Sequence, residues 1–230
     1  MFEKLVSEIS GKLRARRKRP RHFDLSTAEG RRAAMRHFNW TDHGILRVFW
    51  TNTEALAPGV YRANQPSPKR IAQYAKMGIH TILSLRGTSR SSHALLEEES
   101  CAKHGIRLIT LELSARSAAP RSELLALLDH FDTLKPGYVI HCKSGADRTG
   151  LAAAFYLLHV QNRPLEEARK HLALRYVHLH WTKAGILDHI LDCYAADMRK
   201  QGDMPLRQWL AQHYDPDEIT RSFHAKRGTA

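Results

Sequence analysis

At 230 residues and 43% hydrophobic content, the chain can fill one good core but is too short for two ordinary domains with linkers. Its 36 Lys and Arg against 23 Asp and Glu give a net charge of +13, which favours negatively charged partners or substrates: phosphate esters, nucleic acid or an anionic membrane surface. Three cysteines cannot all pair within one chain and include no CxxC couple of the kind that builds a structural zinc site, so a reducing cytosol and no metal are expected.

Residues 1–22 differ from the rest. Phe2, Leu5, Val6, Ile9 and Leu13 recur at helical spacing, and "KLRARRKRPR" follows with almost no apolar content. This predicts an amphipathic helix leading into a basic arm. A solvated tail asks least, because like charges repel; peripheral docking on anionic lipid is the alternative. Nucleic acid is disfavoured, since the arm has no interleaved aromatics and no helix-turn-helix or zinc pattern is present. The start "MFEKLVSEIS" lacks the apolar core of a signal peptide, and "LAAAFYLLHV" is about half the length of a membrane span, so a cytoplasmic protein is expected.

An extension over 23–57 is expected to pack on the main domain, which is placed at 58–200. There strands and helices alternate. "GVYR" reads as a strand, "QPSPKRIAQYAKMG" as a turn and helix, "IHTILSLRG" as a β-branched strand, and "SHALLEEESCAKHG" as a helix ended by Gly105. "IRLITLEL" is a strand, "RSELLALLDHFDTLK" a helix stopped by Pro136 and Gly137, "YVIHC" a strand and "RTGLAAAFYLLHV" a helix. Helices near 164–176, 182–199 and 205–213 complete the chain, with 201–230 as a C-terminal helix and tail. The alternation predicts an α/β fold, a mostly parallel sheet flanked by helices on both faces.

Each cysteine has an arginine six residues on: Cys101 with Arg107, Cys142 with Arg148, Cys193 with Arg199. Spacing therefore selects nothing, but context does. Cys101 falls within a helix and Arg107 in the strand after it, the wrong order to aim backbone N–H groups at an anion. Cys193 and Arg199 share one helix, where six residues turn about 600° and separate their faces. Cys142 alone ends a strand, precedes a short loop containing Gly145, and reaches Arg148 as a helix begins. Unpaired N–H groups at such a helix start cradle oxyanions, and with Arg148 they lower a thiol pKa.

His-Cys-(five residues)-Arg-Thr-Gly between strand and helix resembles the phosphate loop of the cysteine-dependent protein tyrosine and dual-specificity phosphatases, and "GVYRANQPSP" and "ILSLRG" are similar to their compact bacterial branch. The resemblance implies a protein tyrosine phosphatase-like fold without cofactor. It makes Cys142 the nucleophile, Arg148 the clamp on two phosphoryl oxygens, and Thr149 the donor that helps the sulfur leave. The loop residues Lys143, Ser144, Gly145 and Ala146 would contact the phosphate. His141 would brace the loop from below, and Gly150 closes the motif. Arg86, after "LSL", falls on the same rim and could hold a second acidic group, or simply form a surface ion pair. Lys143 is of interest because phosphoinositide-directed relatives carry a lysine there.

The family usually takes its general acid from the loop after the strand equivalent to "IRLITLEL". Here that loop reads "SARSAAPR", with no carboxylate. Asp147, directly before Arg148, is the preferred substitute, an arrangement similar to myotubularin-like phosphatases; Glu112 is the alternative. The expected activity is phosphomonoester hydrolysis through a phosphocysteine, on phosphotyrosine or phosphoserine/threonine proteins or on a smaller phosphate ester such as a phosphoinositide. A phospho-binding module without turnover, and rhodanese-like sulfur transfer, are the rivals.

Overall fold

A computed structural model describes residues 23–228. The amphipathic segment 2–13 and the whole of the basic run lie outside the described residues. Strands β1 (Glu54–Ala57), β2 (Val60–Asn64), β3 (Thr81–Ser84), β4 (Arg107–Thr110) and β5 (Tyr138–Cys142) form one sheet in the order β1-β2-β5-β3-β4. All neighbours are parallel except β1, which pairs antiparallel with β2 across the Pro58–Gly59 turn. The α/β class and mostly parallel sheet are as the alternating pattern predicts. β1 is not: "EALA" lacks β-branched residues, and its pairing to β2 rather than its own propensity makes it a strand.

The sheet is buried on both faces. Side chains at successive positions of one strand point oppositely, so Ile82, Val139 and Ala63 pack one way, with Ile71, Tyr74 and Cys101. Leu83, Ile140, Val60 and Cys142 pack the other way, into the larger core. Helices α3 (Pro68–Lys76) and α4 (Ser92–Lys103) supply the first cluster. The second takes α5 (Arg121–Thr133), α6 (Asp147–His159), α8 (Ile186–Gln201), α9 (Leu206–Gln212) and α10 (Pro216–Lys226). Helix α6 is buried from Thr149 through Leu157, which explains its unbroken apolar run. Helix α7 (Leu165–Arg169) and two single 3₁₀ turns, Leu174–Tyr176 and Lys183–Gly185, replace the longer helix expected over 164–176 and the start of the one at 182. α10 follows the predicted last helix; Asp215 caps it by accepting from the N–H groups of Asp217 and Glu218.

The N-terminal extension begins with α1 (Ala28–Arg36), continues as a π-helical turn, His37–Thr41, and ends in the single turn α2 (Leu46–Phe49). Ala34 and Phe38 bury against Leu96 of α4, and Arg31 forks onto Glu99 at 2.6 and 2.7 Å. Among the described residues no helix is long and apolar enough to cross a membrane.

Candidate active site

β5 lies in the middle of the sheet and runs parallel to β2 and β3, so Cys142 emerges at its carboxyl end between them, where open α/β sheets hold ligands. Residues 143–146 form the loop and Asp147 starts α6. Gly145 has φ +70°, and a Cβ there would stand 2.8 Å from the backbone of Ala63 and Asn64, so only glycine lets the loop lie against β2. At Gly150 a Cβ would meet the His171 carbonyl at 2.6 Å, which lets α6 close on the 171–172 segment.

Three successive loop carbonyls are held from behind. Gln65 N–H donates to Lys143 (3.3 Å), Asn52 Nδ2 to Ser144 (2.9 Å), and Arg62 Nη2 to Gly145. With the carbonyls turned outward, the N–H groups are left to face the sulfur, and those of Gly145 and Thr149 act on it. Arg62 is fully buried. It also donates to the His171 carbonyl at 3.0 Å, contacts His171 Nδ1 at 2.9 Å, and stacks on the Tyr176 ring at 3.5 Å. Burial lowers the Arg62 pKa to about 10 and, with Arg62 beside it, lowers His171 to about 4, so the imidazole is neutral and its Nδ1 accepts a hydrogen bond from the guanidinium.

The three thiols separate by environment. Burial opposes ionisation of Cys142, but the Arg148 charge, the Thr149 hydroxyl and the N–H groups of Thr149 and Gly145 together bring its pKa below the ordinary thiol value. Burial and then Glu97 push Cys101 up to about 12, and burial raises Cys193. The Thr149 hydroxyl is buried and has no other hydrogen-bond partner among the described residues, so it is free to serve the sulfur. Arg148 is oriented by its Nη1, which donates to the carbonyls of Leu85 (3.0 Å) and Leu113 (3.4 Å), while its buried Nε has no partner among the described residues. His141 points to the opposite face of the sheet. Its Nε2 lies 2.8 Å from Oε1 of the buried Glu97, and its Nδ1 lies 3.2 Å from the Cys142 carbonyl, beneath the loop.

The two candidate acids are placed differently. Asp147 lines a 410 Å³ cleft together with Ala115 and Arg116, members of the very loop that lacks a carboxylate. Its Oδ1 is 2.7 Å from Nδ1 of His178, whose Nε2 is 2.7 Å from Oδ2 of Asp188. Burial works against the charged ring, but hydrogen bonds to both carboxylates push the His178 pKa up to about 9. Val177, just before it, sits at φ +64°, an unfavourable conformation for a β-branched residue that fixes where His178 points. Glu112 is exposed, bridges backbone to backbone with Arg86, and packs its side chain over Gly87.

Arg86 and Lys143 meet a residue the sequence did not single out. The buried carboxylate of Asp42 receives Arg86 on both oxygens, at 2.9 and 3.1 Å, and Arg47 Nη2 at 2.8 Å. Lys143 Nζ approaches it at 3.5 Å. Burial would raise the pKa of Asp42, but Arg86 and then Arg47 hold it far below the usual carboxylate range. The ion pair foreseen for Arg86 thus exists, but it is buried rather than at the surface.

A thiol of lowered pKa at the floor of an N–H-lined loop, with an arginine at the start of the helix that follows, at the centre of a mostly parallel sheet, defines a cysteine-dependent phosphatase of the α/β, tyrosine phosphatase-like class. The chain belongs to the PTP-SAK family, the Swiss Army Knife protein DSP-PTPase phosphatase domain, whose family model matches residues 52–184. Its fold is similar to that of the DUF442 protein of Shewanella putrefaciens CN-32, with TM-score 0.51 and 13% identity over 68% of this chain and 97% of that one. TpbA of P. aeruginosa (TM-score 0.48, 19% identity, 75% of this chain and 90% of that one) is also similar. So is the catalytic core of the PP-IP phosphatase Siw14 of S. cerevisiae (TM-score 0.48, 19% identity, 77% and 93%). None of the curated proteins matches.

Proposed function

We propose that the protein hydrolyses phosphomonoesters without a metal, through a phosphocysteine on Cys142. The observation that carries this reading is the trio of loop carbonyls held outward by Gln65, Asn52 and Arg62, which leaves N–H donors around a thiolate. In the first step the Cys142 sulfur attacks phosphorus and the ester oxygen leaves with a proton from Asp147. Arg148 spans two of the three equatorial oxygens. Water then attacks the phosphocysteine, the Thr149 hydroxyl stabilises the departing thiolate, and Asp147 takes the water proton. Phosphotyrosine and phosphoserine/threonine proteins are the proposed substrates. A smaller phosphate ester is the second reading, favoured by Lys143, whose side chain is partly exposed at the cradle mouth.

Cys142→Ser tests the nucleophile. Turnover of an aryl phosphate is expected to vanish while vanadate binding survives, and wild-type turnover is expected to persist in a chelator. Undiminished turnover in Cys142→Ser, or its loss in Cys101→Ser or Cys193→Ser with the fold intact, would discard the assignment.

A further inference from the structure

Beside the cradle, on the side of the N-terminal extension, lies a 250 Å³ cavity whose polar wall is built from Arg47, Arg70, Thr51, Ser67 and Lys69. Three residues lining it each carry a buried donor with no hydrogen-bond partner among the described residues: Nε of Arg47, Nη1 of Arg70 and Nε2 of Gln65. Arg47 uses its other two nitrogens on Asp42. Arg70 uses Nη2 on neutral acceptors only, the Asn64 side chain and the Gln65 carbonyl. Burial weakens both guanidiniums' hold on their protons; at Arg47 the Asp42 carboxylate opposes this, while the charges of Arg86 and then Arg70 add to it. Around this corner Arg47, Lys69, Arg70, Arg86 and Lys143 set five positive charges around the carboxylate of Asp42. Leaving a buried donor unpaired is costly, and more so when it is charged, so three among the lining residues call for an acceptor.

We propose that this cavity is a second oxyanion site, seating a phosphoryl-sized group between Arg47 and Arg70. The volume holds several waters at about 30 Å³ each, enough for such a group. The site borders the phosphate loop, because Gln65 lines the cavity and its N–H holds the Lys143 carbonyl at 3.3 Å. Its occupant is either a second anionic group of a substrate held in the cradle or a free anion. Both use the same chemistry, charge-assisted hydrogen bonds from two guanidiniums.

The test follows the Arg47 Nε–H resonance while inorganic phosphate is added to the wild type, Arg148→Met and Arg70→Met. A saturable shift is expected in the wild type and in Arg148→Met, where the cradle is disabled. Arg70→Met is expected to raise the phosphate Kd read at Arg47 at least tenfold while keeping turnover of a small aryl phosphate. The absence of a saturable shift in Arg148→Met, or an unchanged Kd in Arg70→Met, overturns the site. If neither variant folds, absence of the shift in the wild type alone overturns it. The kcat/KM of a mono- and a bisphosphorylated ester of one alcohol separates the sources. A loss in Arg70→Met confined to the bisphosphate identifies a substrate group, and equal kcat/KM values with a retained wild-type shift identify a free anion.

Discussion

His178 holds Asp147 through a 2.7 Å contact from ring nitrogen to carboxylate, and it can do so as an imidazolium because Asp188 grips its other nitrogen. Asp147 is thereby fixed at the first residue of α6, directly before Arg148, where a phosphate ester held in the cradle would lie beside it.

Asp147→Asn is therefore expected to cut turnover of phosphotyrosine by about 10² to 10⁴, while sparing an aryl phosphate whose phenol leaves readily as its anion. Thr149→Ala serves as the control for loop damage, because it should slow phosphocysteine hydrolysis whatever the leaving group. If Glu112→Gln rather than Asp147→Asn shows the leaving-group dependence, the strand carboxylate is the acid.

The same triad makes stability depend on pH. The folded pKa of His178, about 9, lies above its unfolded value near 6.5. Its contribution is thus complete below about pH 6.5 and is lost as pH rises through about 9, an effect on the order of 3 kcal/mol. Thermal melts between pH 6 and 10 should show a fall in Tm that His178→Gln flattens.

Arg62→Met should remove the donor behind Gly145 and the cation over Tyr176. Loss of a buried charged donor costs about 1.5–3 kcal/mol, so denaturant melts should show a shift of that size. Catalysis should fall for activated and unactivated esters alike, since the fault lies in the cradle and not in proton delivery. A variant with leaving-group-dependent loss would place Arg62 elsewhere in the mechanism.

Thiol reactivity gives a direct readout of the environments. At pH 6 iodoacetate, a small anion, is expected to alkylate Cys142 before Cys101 or Cys193, and vanadate should protect it. Mass spectrometry of the digested protein identifies the modified site; early labelling of Cys101 would contradict a pKa pushed up to about 12.

The loop, its strand and its helix could be read from one ten-residue stretch because their requirements are local: a buried strand, a glycine at positive φ, a helix start. What escaped the sequence was non-local. Arg62 looks like any arginine in a short strand until β2 is laid beside β5 and its fork meets Gly145, 83 residues on. Asp42 lies 44 residues from Arg86 and about a hundred from Lys143, in a segment with no periodicity to mark it. His178 was one of fifteen histidines, and only the left-handed turn at Val177 brings it to Asp147. α10 was different: it was not expected after the helix at 205–213, although Asp-Pro-Asp-Glu at 215–218 is a local start signal, acidic cap and proline at the first position, that needs no fold to be read.

The carboxylate of Asp42 has a consequence for where this enzyme begins. The family match starts at residue 52, yet the counter-charge for Arg86 and Lys143 comes from ten residues earlier. A fragment cut at the family boundary would keep the whole catalytic loop and lose the group that neutralises its rim. Seen as a modular object, the chain keeps its catalytic loop in one segment and the counter-charge of that loop's rim in another. Exchanging the stretch from α1 to α2 would then redraw the electrostatic character of the entrance without altering a residue of the phosphate loop.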